Sequence, residues 1–377
     1  NLKIIIWSAN FLPNLGGVER YTYHIAKEFL KKGNKITVIT SNTDNLKTFE
    51  VIENIQIIRL DTVNLLNGRF PVLKFNKKNK MIINNLKKEK FDVSIINTRF
   101  YIHSLVGSIF SKKNVKKSLL IEHGTGHFTV NNKFWDKLGE FYEHVISFLV
   151  KKNIKNFYGV SEECNKWLQH FRIKAKGVFY NSIDKNVEKD ETFDLRKEYN
   201  IDKSKKICVF TGRLIKEKGI FKLINTFNKL DSEDVCLFII GDGEVYEEIK
   251  KNNKNRNIVI TGRMEHKKIM KALESTDIFL LPTDFPEGLP TSILEAGLEK
   301  CAIIASNRGG TPEVIVNEEY GIVLKKNSEE EILEKLKLLL NNAEIIEKMG
   351  RNIQKRILEN FEWEVTANKI LLEIKKI

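Results

Sequence analysis

Short runs of β-branched and other apolar residues recur along this chain, each followed by a longer amphipathic stretch, and the whole series occurs twice. KIIIW (3–7), KITVIT (35–40), VSIIN (93–97) and SLLIE (118–122) lead the first half. Continuous apolar runs of this kind are what strands need when helices cover both faces of a parallel sheet. Regularity lapses after Tyr180, through NSIDKNVEKDETF, and resumes with KICVFTG (206–212), VCLFIIGDG (235–243), NIVITG (257–262), DIFLLP (277–282) and CAIIAS (301–306). The expected fold class is α/β, with two Rossmann-like doubly wound domains facing one another and a boundary near residue 182. Ligands of such sheets bind beyond the carboxyl ends of the strands, so the chemistry is expected there.

Bulk properties narrow the choice of partner. A chain of 377 residues exceeds what one core usually sustains, and 42% hydrophobic with 30% charged residues is the profile of a folded protein. Cys164, Cys208, Cys236 and Cys301 are widely separated and form no C-x-x-C pair, which suits a reducing cytoplasm. No apolar stretch approaches a membrane span, and the opening NLKIIIWSA shows neither a basic leader nor a cleavage site. The net charge of +14 is unevenly spread: residues 1–180 hold 30 Lys and Arg against 14 Asp and Glu, whereas the remainder is nearly neutral. The first half is thus expected to face something anionic, either a membrane surface or a phosphorylated acceptor, although a Lys-rich solvated surface has the same composition. Nucleic acid is not expected, because no aromatic-basic recognition motif accompanies the charge.

Three segments carry candidate chemistry. Gly16 and Gly17 precede a periodic run (Val18, Tyr21, Ile25, Phe29), so a helix begins there and its first amides could hold a phosphate; a plain turn reads the same way. Arg213, at the end of KICVFTG, and Lys218 five residues on are placed to neutralise a diphosphate and stabilise it as it departs. In DIFLLPTDFPEGLPTSILEAG, Glu287 falls on a loop and Glu295 within the following helix, with the Gly288 and Leu289 amides at the helix mouth. Two solvated carboxylates are the plainer alternative. No D-x-D triplet and no His, Asp and Glu group at ligand spacing stands out along the chain, so neither metal nor other cofactor is expected.

Taken together, these residues resemble the retaining glycosyltransferases of family 4, which carry Glu, seven residues, and Glu; EGLPTSILE matches that motif. GGVERY, EHGTGH (122–127), YGVSEECNKWL (158–168), FYNSID (179–184), FTGRLIKEKG (210–219), IIGDG (239–243) and GGTPEVI (309–315) extend the resemblance along nearly the whole chain. It implies the GT-B fold, with an acceptor domain of residues 1–182 plus a returning helix in 361–377, and a nucleotide-sugar domain of residues 183–360. It further implies that Glu287 contacts the donor sugar, Glu295 the ribose, and His123 the donor sugar as well. Arg213 and Lys218 would hold the diphosphate, assisted by Gly17, Gly288 and Leu289, and Arg263 and Met264 would lie near the base, a uridine rather than a guanosine nucleotide being expected. Retention without a matched nucleophile implies front-face transfer, in which the departing phosphate takes the acceptor's proton. A decayed, non-catalytic sugar-binding subunit is the alternative, and the intact motifs oppose it.

For the acceptor, the segment FWDKLGEFYEHVISFLV (134–150) places Phe134, Leu138, Phe141, Val145 and Leu149 at helical spacing. Trp135, Tyr142, Ile146 and Phe148 widen the stripe, and Lys151 and Lys152 follow. That composition suits a helix lying in an anionic membrane interface, and equally a core helix. The expected acceptor is a lipid-linked saccharide in surface-polysaccharide, lipopolysaccharide or glycoprotein assembly, presented at the inner face of the plasma membrane. Oligomeric state is not legible in the sequence.

Overall fold

The computed structural model describes all 377 residues. They divide into two compact units, Asn1–Asn181 with Trp363–Ile377, and Ser182–Glu362. Phe361 and Glu362 therefore count with the second unit, where Ile183 N donates to the Phe361 carbonyl at 2.8 Å.

The first unit runs β1 (Lys3–Trp7), α1 (Gly17–Lys31), β2 (Lys35–Asn42), β3 (Phe49–Ile52), β4 (Ile55–Leu65), β5 (Phe70–Leu73), α2 (Lys77–Leu86), β6 (Val93–Asn97), α3 (Ile102–Asn114), β7 (Lys117–Glu122), α4 (Lys133–Lys151), β8 (Phe157–Gly159), α5 (Glu162–His170) and β9 (Gly177–Val178). Its sheet has the order β3-β4-β2-β1-β6-β7-β8-β9, with β5 pairing β4. Only the β3–β4 and β4–β5 pairings are antiparallel. These edge hairpins escape the run pattern because β3 alternates exposed and half-buried residues and β4 ends in exposed ones.

Strand β1 shows why its sequence is continuously apolar. Ile4 and Ile6 enter one core, with Tyr21, Ile25 and Phe29 of α1. Ile5 and Trp7 enter the other, with Phe110 of α3 and Ile146 and Val150 of α4. Successive strand residues point to opposite faces, so burial on both sides needs every position apolar, each such side chain contributing about 1.5–3 kcal/mol. Helix α3 approaches closely enough that a Cβ at Gly107 would meet the Trp7 ring at 2.7 Å. No larger residue fits there without moving the helix.

The second unit runs α6 (Leu195–Glu198), β10 (Lys206–Thr211), a short 3₁₀ turn (Lys216–Lys218), α7 (Ile220–Leu230), β11 (Val235–Ile240), α8 (Tyr246–Asn252), β12 (Ile258–Gly262), α9 (His266–Glu274), β13 (Ile278–Leu281), α10 (Thr291–Leu298), β14 (Ala302–Ser306), α11 (Thr311–Val314), β15 (Ile322–Leu324), α12 (Glu329–Leu340) and α13 (Ala343–Asn360). Its sheet is wholly parallel, in the order β12-β11-β10-β13-β14-β15. The winding reverses between β10 and β13, which opens a crevice at their carboxyl ends. The closing helix α14 (Trp363–Lys376) returns to the first unit, where Trp363, Ala367, Ile370 and Ile374 join the core under α1.

Candidate functional site

In the second unit, the loops after β10, β13 and β14 are knitted together at that reversal. Asp284 N donates to the Glu217 carbonyl at 2.7 Å, and Gly310 N donates to the Gly288 carbonyl at 2.6 Å. Gly219 adopts φ +79° and Gly309 φ +52°. A Cβ at Gly219 would strike the Pro282 carbonyl, and one at Gly309 the carbonyls of Glu287 and Gly288. Both positions thus need glycine for backbone conformation and for close approach.

This arrangement joins Lys218 to Glu287. Their side chains form an ion pair and are only 17% and 15% exposed, with Lys218 Nζ also 5.0 Å above the Phe285 ring. Arg213, just beyond β10, is exposed. Glu295 is buried on the first turns of α10 and accepts a hydrogen bond from His266 Nε2 at 2.7 Å. His266 opens α9, next to Arg263 (exposed) and Met264 (half-buried), which follow β12. Leu289 is buried, and Pro290 caps α10 without a side-chain hydrogen bond. Lys218, Glu287, Glu295, Gly288 and Leu289 are thereby gathered around the β13–α10 loop. His266 was not anticipated from the sequence; its only sequence signal is its position at the start of a helix after a β12 loop.

In the first unit, the residues of interest lie at the carboxyl ends of β1, β6 and β7. His123, just after β7, donates through Nε2 to Asn97 Oδ1 at 2.9 Å, and its ring meets Tyr21 edge-on at 4.7 Å between centroids. Burial pulls its pKa down to about 3, so the imidazole is neutral and Nδ1 is left as an acceptor. Asn97 in turn donates to Thr22 Oγ1 at 2.8 Å, which fixes the ring's orientation. Asn97 is another residue the motifs did not reveal.

Gly16 is the N-cap of α1 and Gly17 its first residue. A Cβ at Gly17 would meet nothing within 4 Å, so packing within the protein does not require glycine there. The carboxylate of Glu19 is directed at the amides of Gly16 and Glu19, and burial raises its pKa despite those contacts. An acid from the chain itself thus already lies at the helix mouth that the sequence suggested for phosphate.

Helix α4 separates the two alternatives left open by its sequence. Ile146 and Val150 are buried in the core. Phe134, Trp135, Leu138, Phe141, Val145 and Phe148 are exposed, by between 40% and 71%. Tyr142 and Ile146 depart from the expected stripe: both lie on the inward face, where the Tyr142 ring packs against Phe70 at 5.7 Å. Lys151 and Lys152 are exposed, with Lys152 Nζ 4.3 Å over the Phe148 ring. Beside the outward face lies a groove of about 870 Å³ lined by Leu65, Phe70, Phe100, Phe128 and Trp135.

Comparison with known proteins agrees with the class that this fold and site define. Residues 15–187 match the model of Glycosyltransferase Family 4, and residues 191–356 that of Glycosyl transferases group 1. An uncharacterised glycosyltransferase of Methanocaldococcus jannaschii is 30% identical over 100% of this chain and 98% of its own length. A 2-deoxystreptamine N-acetyl-D-glucosaminyltransferase of Niallia circulans is 23% identical over 75% of each chain. Among solved structures, Anabaena HepE in complex with UDP superposes with a TM-score of 0.78 over 100% of both chains at 15% identity. The chain belongs to the glycosyltransferases and has the GT-B fold.

Proposed function

We propose that this chain is a retaining glycosyltransferase that moves a hexose or N-acetylhexosamine from a nucleotide sugar, a UDP-sugar in preference to a GDP-sugar, to a lipid-linked saccharide. The observation that carries this reading is the Lys218–Glu287 pair at the β10/β13 reversal, where a strand order of this kind binds nucleotides. The UDP bound by the Anabaena relative supports the choice of base.

In this reading the donor's diphosphate draws Lys218 away from Glu287 and, with Arg213, spreads its charge. Glu287 then accepts from hydroxyls of the donor sugar, and Glu295, held by His266, accepts from the ribose. As the bond from the anomeric carbon to the diphosphate breaks, the acceptor oxygen bonds to the same face and its proton passes to the departing phosphate oxygen. Preformed charges aimed at the leaving group lower the barrier without reorganising. His123, neutral and fixed by Asn97, offers Nδ1 to a sugar hydroxyl.

The acceptor assignment rests on α4. No helix of the protein is long and apolar enough to cross a membrane. An outward apolar face with lysines at its end and an adjoining apolar groove suits shallow insertion at an anionic inner-membrane surface. To test the reading, a panel of UDP- and GDP-sugars is incubated with polyprenyl-diphosphate-linked saccharides, and the product's anomeric configuration is read by NMR, with Glu287→Ala as control. Inverted product, or turnover undiminished in Glu287→Ala, overturns it.

A further inference from the structure

The loop between β7 and α4 brings a second chemistry to the first unit. His127 on this loop, His144 on α4 and His170 at the end of α5 each present a ligand atom within 4.8 Å of the others. His127 Nε2 and His170 Nε2 stand 3.3 Å apart. Two nitrogens each about 2.0–2.1 Å from a tetrahedral zinc are separated by about 3.3–3.4 Å, so this pair is already at the spacing such an ion sets.

The groups behind His127 give independent support. Its Nδ1 hydrogen-bonds the Glu143 carboxylate, which is only 3% exposed. A carboxylate on the far nitrogen is the usual partner of a metal-bound imidazole, fixing its tautomer and orientation. Arg99 is 1% exposed, lies 3.0 Å from the wholly buried Glu122 and 3.8 Å from Glu143. One guanidinium thus faces two buried carboxylates, an arrangement that a cation bound on His127 would complement. The ring of Trp167 stacks on His170 at an interplanar angle of 9°, restricting its rotation.

We infer that His127, His144 and His170 form a binding site for a divalent transition metal, zinc by its preference for three imidazoles and one open position, that ties the 123–132 loop to α4 and α5. The tie reaches the backbone at the carboxyl end of β7, because Glu122 Oε1 accepts from the amides of both His123 and Gly124 at 3.1 Å. A metal on His127 therefore braces, through Glu143, Arg99 and Glu122, the backbone that carries His123.

The test uses the full chain without any oligohistidine tag, stripped with chelator and titrated with Zn²⁺ by calorimetry and with Co²⁺ by visible absorption. One equivalent is expected to bind, with Co²⁺ showing the intense bands of a four-coordinate ion. His144→Ala and His170→Ala, both at exposed positions, are each expected to weaken binding at least about 10-fold, and Glu143→Gln by about 10–100-fold. His24→Ala is expected to leave binding unchanged. Hydrogen exchange across residues 123–132 is expected to slow on adding Zn²⁺. Absence of saturable one-to-one binding, a six-coordinate Co²⁺ spectrum, or full binding in the folded His144→Ala/His170→Ala double variant overturns the site.

Discussion

Lys218 and Glu287, 69 residues apart, form an ion pair across the two loops that border the winding reversal of the second sheet. Neither loop holds the pair alone. Lys218 ends a 3₁₀ turn after β10, Glu287 precedes α10 after β13, and the hydrogen bond from Asp284 N to the Glu217 carbonyl keeps the loops in register. In the proposed mechanism this pair is the resting state of the donor site, and binding exchanges one anion for another.

That exchange is measurable. A double-mutant cycle of Lys218→Ala and Glu287→Ala, by urea denaturation without nucleotide, is expected to show a favourable coupling of about 1 kcal/mol, since both groups are largely shielded from water. With saturating UDP the coupling is expected to shrink towards zero, because Lys218 then serves the diphosphate. Coupling unchanged by UDP counts against the exchange.

The Glu295–His266 hydrogen bond predicts a particular binding defect. Glu295→Ala is expected to weaken UDP about 10-fold by calorimetry, the scale of a hydrogen bond to a charged group. A UDP analogue lacking both ribose hydroxyls is expected to lose as much with the parent protein, and to lose nothing further with Glu295→Ala. Additive losses would separate Glu295 from the ribose.

Gly309→Ala tests the packing of the site. Its φ of +52° and the nearby carbonyls of Glu287 and Gly288 leave no place for a methyl group. The variant is expected to lose about 1–3 kcal/mol of stability from backbone strain, and to lose most transfer activity as the Glu287 loop shifts. Gly17→Ala, which meets no protein atom, is expected to leave the melting temperature within about 2 °C, consistent with a small surface effect.

Acid is expected to destabilise the first unit through two neutral histidines. Burial lowers the pKa of His103 to about 4 and that of His123 to about 3. Between those values and the unfolded value of about 6.5, the unfolded chain binds more protons than the folded one, so stability falls as pH falls through this window. Each contributes a slope of up to about 1.4 kcal/mol per pH unit, His123 less because part of its surface remains open. Denaturation between pH 7 and pH 5, compared with His123→Gln, checks this; an unaltered slope in the variant refutes the assignment to His123.

Flotation with anionic liposomes tests α4. Trp135→Ala/Phe141→Ala/Phe148→Ala is expected to abolish binding at low salt without loss of stability, because these side chains are more than half exposed. Retained binding, or binding insensitive to salt, contradicts the membrane reading.

The sequence by itself determined the two doubly wound sheets, since a strand buried on both faces needs an apolar run, and β1, β10 and β11 each show one. It also located EGLPTSILE at a strand-to-helix transition, running from the loop into α10, because that transition is local. Tertiary structure alone decided the partners. His266 reaches Glu295 from 29 residues away, and the loop of His127 meets His170 across 43 residues. Such encounters depend on which strands are neighbours and on where each loop leaves the sheet, and no local pattern encodes either. The same holds for α4: its apolar residues divide between core and surface according to what the first sheet has room to cover.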